Sequence, residues 1–274
     1  MNVRIKFQKY GVMKFIGHLD VMRYFQKAFR RANVDNEYSK GFNPHQIMSF
    51  AAPLGVGLTS DGEYLDVSLN SCEAPEIMIE RINAVMSEGF HITGWNFLKD
   101  REENQKAVTA MALVSSADYL VSLKDGYQIG EAIRSQQDFA KEFERFYHQD
   151  EIVINKKTKT SEKPVDIKPM ISLAAFDKAE YEVKRNSLVK VDNNTMLSGN
   201  KSESVAESYE NGIFVYLQLD TGSAANLKPE LVMEAFYDFL SVPYEKFAWQ
   251  VHRLEVYTTD TESGKLAALD QVER

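Results

Sequence analysis

The chain has 274 residues, 44% of them hydrophobic and 26% charged. That is the composition of a globular protein of two ordinary-sized domains. Its single cysteine, Cys72, excludes an internal disulfide and any multi-cysteine zinc or iron–sulfur centre built by this chain alone, and it fits a reducing, cytoplasmic setting. No apolar run reaches about 18 residues, so no membrane-spanning helix is expected, and Met1–Phe7 lack the apolar block of a secretory signal.

The net charge of -8 is unevenly spread. Residues 1–50 hold nine Lys/Arg (Arg4, Lys6, Lys9, Lys14, Arg23, Lys27, Arg30, Arg31, Lys40) against Asp20, Asp35 and Glu37, a balance of +6, whereas the other 224 residues carry -14. A basic front on an acidic body points to a localised anion-binding face. A solvated helix face is the plainer alternative.

In chain order, residues 3–9 alternate as a strand, with Val3, Ile5 and Phe7 on one side and Arg4 and Lys6 on the other. Leu19–Ala32 reads as a helix whose apolar stripe is Leu19, Met22, Phe25, Phe29 and Ala32. Arg23, Lys27, Arg30 and Arg31 fall on another face, and Tyr24 beside them is placed to stack on a base. Strands follow at 47–52 and 63–69, then a helix opened by Pro75 and ended by Gly89, then a strand at 90–97. The polar run 99–112 reads as a linker. Beyond it the sequence predicts a strand at 117–123, a helix over 129–147 broken near Ser135, and strands at 152–155, 165–173 and 180–184. A strand at 213–219, a helix at 229–240 and a closing strand at 247–257 complete the half, and the tail after Thr259 shows no core pattern. Residues 3–97 follow the strand, helix, strand, strand, helix, strand order of a split βαβ unit, and the second half repeats the alternation loosely with an extra hairpin. The fold class is therefore α+β: two ferredoxin-like α/β sandwich domains, at 1–98 and 113–258, with antiparallel sheets and helices on one face, followed by a tail at 259–274.

The least ordinary stretch is Tyr38–Pro53. It places Ser39, Lys40, Asn43 and His45 within seven residues, punctuated by Gly41 and Pro44. Short polar side chains, a cation and an imidazole on a turn suit an anionic or polar ligand, and Gly41 permits positive φ or close backbone approach. Gly17-His18 opens the first helix, where free amides and the positive dipole end suit a phosphate. His18 would add a donor or a general base there, or simply cap the helix. The candidate ligand-binding set is Gly17, His18, Arg23, Lys27, Arg30, Arg31, Tyr38, Ser39, Lys40, Gly41, Asn43 and His45, with His18 and His45 as the catalytic candidates. The five histidines have no HxH or HExxH spacing, and no P-loop, GxGxxG or GxSxG is present, so no metal or cofactor is expected.

Several stretches together resemble a known family. They are Lys9-Tyr10-Gly11, Phe15-Ile16-Gly17-His18-Leu19-Asp20, Arg30-Arg31-Ala32, Tyr38-Ser39-Lys40-Gly41-Phe42-Asn43-Pro44-His45, Ser49-Phe50-Ala51, Pro53-Leu54 and Glu63-Tyr64-Leu65-Asp66. They resemble the radical-SAM-linked proteins, a bacterial domain-of-unknown-function family found beside, or fused behind, cobalamin-binding radical SAM modules. Val165–Ile171 and Leu227-Lys228-Pro229 look like later landmarks of the same family. The resemblance implies a separately encoded radical SAM enzyme as partner, and its gene neighbourhoods lean toward RNA. The chain lacks the three-cysteine cluster motif, so any radical chemistry would belong to that partner. The expected function is an accessory or substrate-presenting protein, RNA-associated, with no membrane. The alternative is a metal-independent RNA endonuclease of tandem ferredoxin-like type.

Overall fold

The computed structural model describes residues 1–98, 109–157, 162–190, 203–223 and 225–272. Its strands are β1 (Asn2–Lys9), β2 (Met48–Phe50), β3 (Thr59–Ser68), β4 (Phe90–Leu98), β5 (Ser116–Leu123), β6 (Val153–Lys157), β7 (Glu162–Asp166), β8 (Ile171–Ala175), β9 (Phe214–Asp220), β10 (Trp249–Thr259) and β11 (Leu266–Ala268). Its helices are α1 (His18–Arg31), α2 (Pro75–Asn83), α3 (Ala110–Leu113), α4 (Gln136–Tyr147), α5 (Lys178–Leu188) and α6 (Pro229–Leu240). The protein is α+β, with mostly antiparallel strands.

Two compact units are present. The first comprises Met1–Val114, Val189–Ala206 and Arg253–Arg274; the second comprises Ser115–Leu188 and Glu207–His252. The division therefore differs from the sequence boundaries. Residues after 252 return to the first unit, and so does α3, which the sequence reading assigned to the linker; residues 99–108 of that linker lie outside the described residues.

In the first unit the strand order is β4-β1-β3, with β2 and the Arg253–Thr259 part of β10 both on β3. β1 and β2 thus share a sheet, as the strand pattern requires. Val3, Ile5 and Phe7 of β1 face Val21, Phe25 and Phe29 of α1 and Met78 and Ile82 of α2 in one buried cluster. Phe25 sits at its centre, with ring centroids 4.7 Å from Phe7, 5.5 Å from Phe90 and 5.8 Å from Phe50. Such pairs add about 0.5–1.5 kcal/mol each beyond their buried area. The α1 stripe is Val21, Phe25, Ala28, Phe29 and Ala32, not one that begins at Leu19, which is 60% exposed. Leu19 lies two residues before Val21, about 200° around a helix, so it cannot share that face.

The opposite face of β1 is also covered, contrary to a simple in–out alternation. The tail after Thr259 does this: β11 pairs with β10, Ala267, Ala268 and Leu269 are buried, and Leu269 O accepts from Arg4 Nη1 at 3.0 Å. Its small apolar side chains carry too little periodic signal to be read as core. Gly89 is also reassigned. It does not end α2, which stops at Asn83; it lies at the entry to β4 with φ of 102°, and its carbonyl accepts from Tyr10 N at 2.9 Å.

In the second unit β9 lies between β5 and β8, and Trp249–His252 of β10 run beside β5. Phe139, Phe143 and Phe146 of α4 pack on Phe236 of α6, with Phe143 and Phe236 centroids 5.0 Å apart. The predicted strand at 180–184 is instead part of α5. Asp177 Oδ1 accepts from Glu180 N at 2.8 Å, and Glu180 Oε2 accepts from Phe176 N at 2.9 Å. This reciprocal cap resembles a capping box and commits the segment to helix. The predicted break at Ser135 is the N-cap of α4, its hydroxyl accepting from Asp138 N. The predicted strand at 165–173 is divided by a 3-10 turn at Lys168–Met170, with Pro169 inside it.

Candidate nucleic-acid interface

The basic front sorts into two classes. Arg4, Lys6 and Lys9 are interior. Arg4 pairs with Asp66 at 2.8 Å, and Lys6 lies between Glu255 at 2.5 Å and Asp270 at 3.1 Å. Lys9 Nζ donates to Ile16 O at 3.2 Å, and burial pulls its ammonium below the ordinary lysine range, opposed by the charge of Glu63. Arg253, which pairs with Glu63 at 3.0 Å, completes this set. The carboxylates that match these cations come from beyond residue 50, so the +6 of residues 1–50 overstates the surface charge. Lys14 is half-buried. The exposed cations are Arg23, Lys27, Arg30, Arg31 and Lys40.

Four of those five stand on α1, all exposed, as its helical spacing predicts. They are not equivalent. Arg23 Nη1 donates to Asp20 Oδ1 at 3.3 Å, and Arg31 Nη2 donates to Val85 O at 3.0 Å. Among the described residues no carboxylate pairs with Lys27, Arg30 or Lys40. Tyr24 is not free to stack on a base. Its ring stacks on Phe90 with centroids 4.7 Å apart, and its hydroxyl accepts from Ser87 N at 2.7 Å.

The Tyr38–His45 stretch is a narrow ribbon. Asn36 bridges to Leu69, Glu37 N donates to Ser68 O, and Ile47 N donates to Glu37 O, which fixes the ribbon to the end of β3. Tyr38 and Gln46 form an antiparallel bridge, and Ser39 N donates to His45 O at 2.8 Å. Ser39 Oγ accepts from His45 N at 3.1 Å and lies 2.9 Å from His45 Nδ1. Gly41 at φ 118° lets the chain reverse at the tip, a conformation L side chains rarely adopt. The ribbon base meets α1 through Gln46, whose buried Nε2 donates to Asn36 Oδ1 at 3.3 Å and, at 3.5 Å, to Gln26 O. Gln26 and Arg30 are four apart and so lie on one line of α1. The base of the ribbon thus touches α1 one turn before Arg30.

The tip holds a residue outside the predicted set. Phe42 is the most exposed large apolar side chain among the described residues, with its whole ring in solvent. Its signal was legible: an aromatic placed between Gly41 and Asn43-Pro44 sits at a reversal, where no element can cover it. Asn43 contributes its carbonyl, 3.4 Å from His45 Nδ1.

Gly17 is the N-cap of α1, its carbonyl accepting from Asp20 N and Val21 N at 3.0 Å. His18 therefore does not cap the helix. Its ring packs edge-on against Phe50 at 5.1 Å, and burial lowers its imidazole pKa. Among the described residues no hydrogen bond or ring contact links His18 to His45: His18 meets Phe50, and His45 meets Ser39 and Asn43. Among the described residues no group of three or more His, Cys, Asp or Glu side chains gathers to hold a metal ion, and no helix is long and apolar enough to cross a membrane. In the second unit Leu123, Tyr127, Ile133, Arg134, Asn211 and Ile213 line a cavity of about 580 Å³, which no predicted site residue enters.

Fold and surface define an α+β protein with a cationic helix and an aromatic-tipped ribbon whose base touches that helix. The chain belongs to a family described as an uncharacterized protein conserved in bacteria (DUF2344), whose profile matches residues 2–229. No curated protein matches it.

Proposed function

We propose that the protein binds RNA through the face formed by α1 and the 38–45 ribbon, as an accessory or substrate-presenting partner of a separate radical SAM enzyme. One observation carries the RNA reading: Lys27, Arg30 and Lys40 are exposed without carboxylate partners among the described residues, and the ribbon that holds Lys40 also exposes the aromatics Tyr38 and Phe42. Cations for phosphates together with rings for bases are the parts of a single-strand binding surface. The acidic remainder of the chain repels a polyanion, which confines binding to this face. The enzyme partner is supported by the sequence resemblance, and the lone cysteine leaves cluster chemistry to that partner.

The endonuclease alternative needs His18 or His45 as a general base, and its support is weaker. One ring is packed on Phe50 and the other is held by Ser39. Ultraviolet crosslinking of pure protein to RNA in chelator tests both readings. Crosslinks within residues 23–45 and intact RNA are expected. Cleavage that falls roughly 10²-fold or more in His45→Ala or His18→Ala would replace binding with catalysis. Crosslinks confined to the second unit would refute the assigned face.

A further inference from the structure

We infer that Phe42 is a base-stacking finger, so that this face takes unpaired RNA rather than duplex; the inference rests on the RNA reading above. Three observations lead to it. The ring is wholly in solvent, so it contributes nothing to the core. The ribbon that carries it is pinned at its base by the Tyr38–Gln46 bridge, by the paired Ser39–His45 contacts and by the buried Gln46–Asn36 amide contact. At the tip, Gly41 at φ 118° sets the reversal and Pro44 restricts Asn43. An apolar ring held out on a braced support loses little freedom when it binds.

The chemistry of the surroundings selects the occupant. Lys40, two residues away, is exposed and has no carboxylate partner among the described residues, and Tyr38 is 44% exposed on the same ribbon. A cation and exposed aromatic rings carried on one short ribbon suit a nucleotide, whose phosphate and base can each find a partner there. A duplex keeps its bases stacked inside and offers Phe42 no π-face. Every base has one, so the stacking is tolerant of sequence, and the preference is for unpaired nucleotides.

The test uses the full chain, a 12-nucleotide single-stranded RNA of mixed sequence, and the same strand annealed to its complement. Phe42→Leu keeps apolar bulk without the aromatic face, Phe42→Trp keeps the face, and Lys27→Gln/Arg30→Gln removes cations only. Because Phe42 packs on nothing, all three should fold, as unfolding midpoints close to the parent's will show. The single strand should bind at least tenfold tighter than the duplex. Phe42→Leu should weaken single-strand binding about 5- to 100-fold and leave duplex binding unchanged, and Phe42→Trp should restore it. Trp95 and Trp249 are buried, so quenching of exposed tryptophan fluorescence on binding would report stacking at position 42. Should Phe42→Leu bind like the parent while the Lys27/Arg30 variant loses binding, the finger is refuted and the RNA face stands. A parent that binds neither RNA overturns the RNA reading and the finger with it. A Phe42→Trp protein whose fluorescence changes with an added protein and not with RNA would reassign the ring to a protein pocket.

Discussion

Arg4 on β1 and Asp66 on β3 face each other in register and share two hydrogen bonds, at 2.8 and 3.0 Å. Arg4 also donates to Leu269 O, and Asp66 accepts from Ala110 N, so the pair joins the sheet to the C-terminal segment and to α3. Arg4→Ala leaves Asp66 without its cation and Leu269 O without its donor. A loss of about 3–5 kcal/mol is expected from urea unfolding, the usual result of removing one member of a buried pair. Arg4→Met combined with Asp66→Leu should lose less, because no charge is then stranded.

Lys6 bridges Glu255 and Asp270, while Tyr64 OH donates to Glu255 at 2.7 Å. Burial pushes the Glu255 carboxyl above its ordinary range, and Lys6 opposes that shift. Lys6→Met should raise it further. A carboxyl whose folded pKa exceeds its unfolded value takes up a proton on folding, so stability rises as pH falls through the folded pKa toward about 4.3. The variant should therefore be closest to the parent in stability near pH 4–5 and furthest from it near neutrality, measured by denaturant titration at each pH.

Gly89 tests the backbone. At φ 102° an added Cβ would lie 2.9 Å from both Tyr10 O and Met13 Cβ. Gly89→Ala should lower the unfolding midpoint markedly. Gly126→Ala, with φ of 88° and nothing within 4 Å, bears the conformational cost alone and should lower it less. Calorimetry of the two variants gives the comparison.

The α4 cap makes an acid-limb prediction. Ser135 Oγ donates to Asp138 Oδ2 at 2.8 Å, and this bond is the main cause holding the Asp138 carboxyl below its usual value. A depressed carboxyl pKa gives stability present above the unfolded value near 3.9 and lost as pH falls through the folded pKa. Ser135→Ala should lower the stability at neutral pH, where the cap and the hydrogen bond to the ionised carboxylate are both lost, and lower it less once the pH falls through the depressed Asp138 value and that carboxylate is protonated.

The elements with strong periodic signals were legible in the sequence: β1, α1, α2, α6 and the paired strands. The exposed cations of α1 followed from spacing alone, since i, i+4, i+7 and i+8 define one helical face. What escaped depends on long-range contact. Arg4 and Lys6 looked like solvent-facing cations because their partners, Asp66, Glu255 and Asp270, lie 62 to 264 residues away in sequence. Tyr24 looked like a stacking residue until Phe90 and Ser87 met it. The start of α5 has the pattern of a strand because Tyr181 and Val183 alternate with charged residues, whereas the Asp177–Glu180 cap decides the segment. Phe42 carries no periodic signal, because it stands alone between turn residues at Gly41 and Asn43-Pro44.

The most direct measurement is the salt dependence of single-stranded RNA affinity for the parent and for Lys27→Gln/Arg30→Gln/Lys40→Gln. These three cations make no ion pair among the described residues, so removing them should leave the circular dichroism spectrum unchanged. Each lost phosphate contact should flatten the plot of log affinity against log salt by about 0.7, so the triple variant should show a slope shallower by about 2 and weaker binding at low salt. Equal affinity and equal slope for the two proteins would contradict the assignment of RNA binding to α1 and the ribbon.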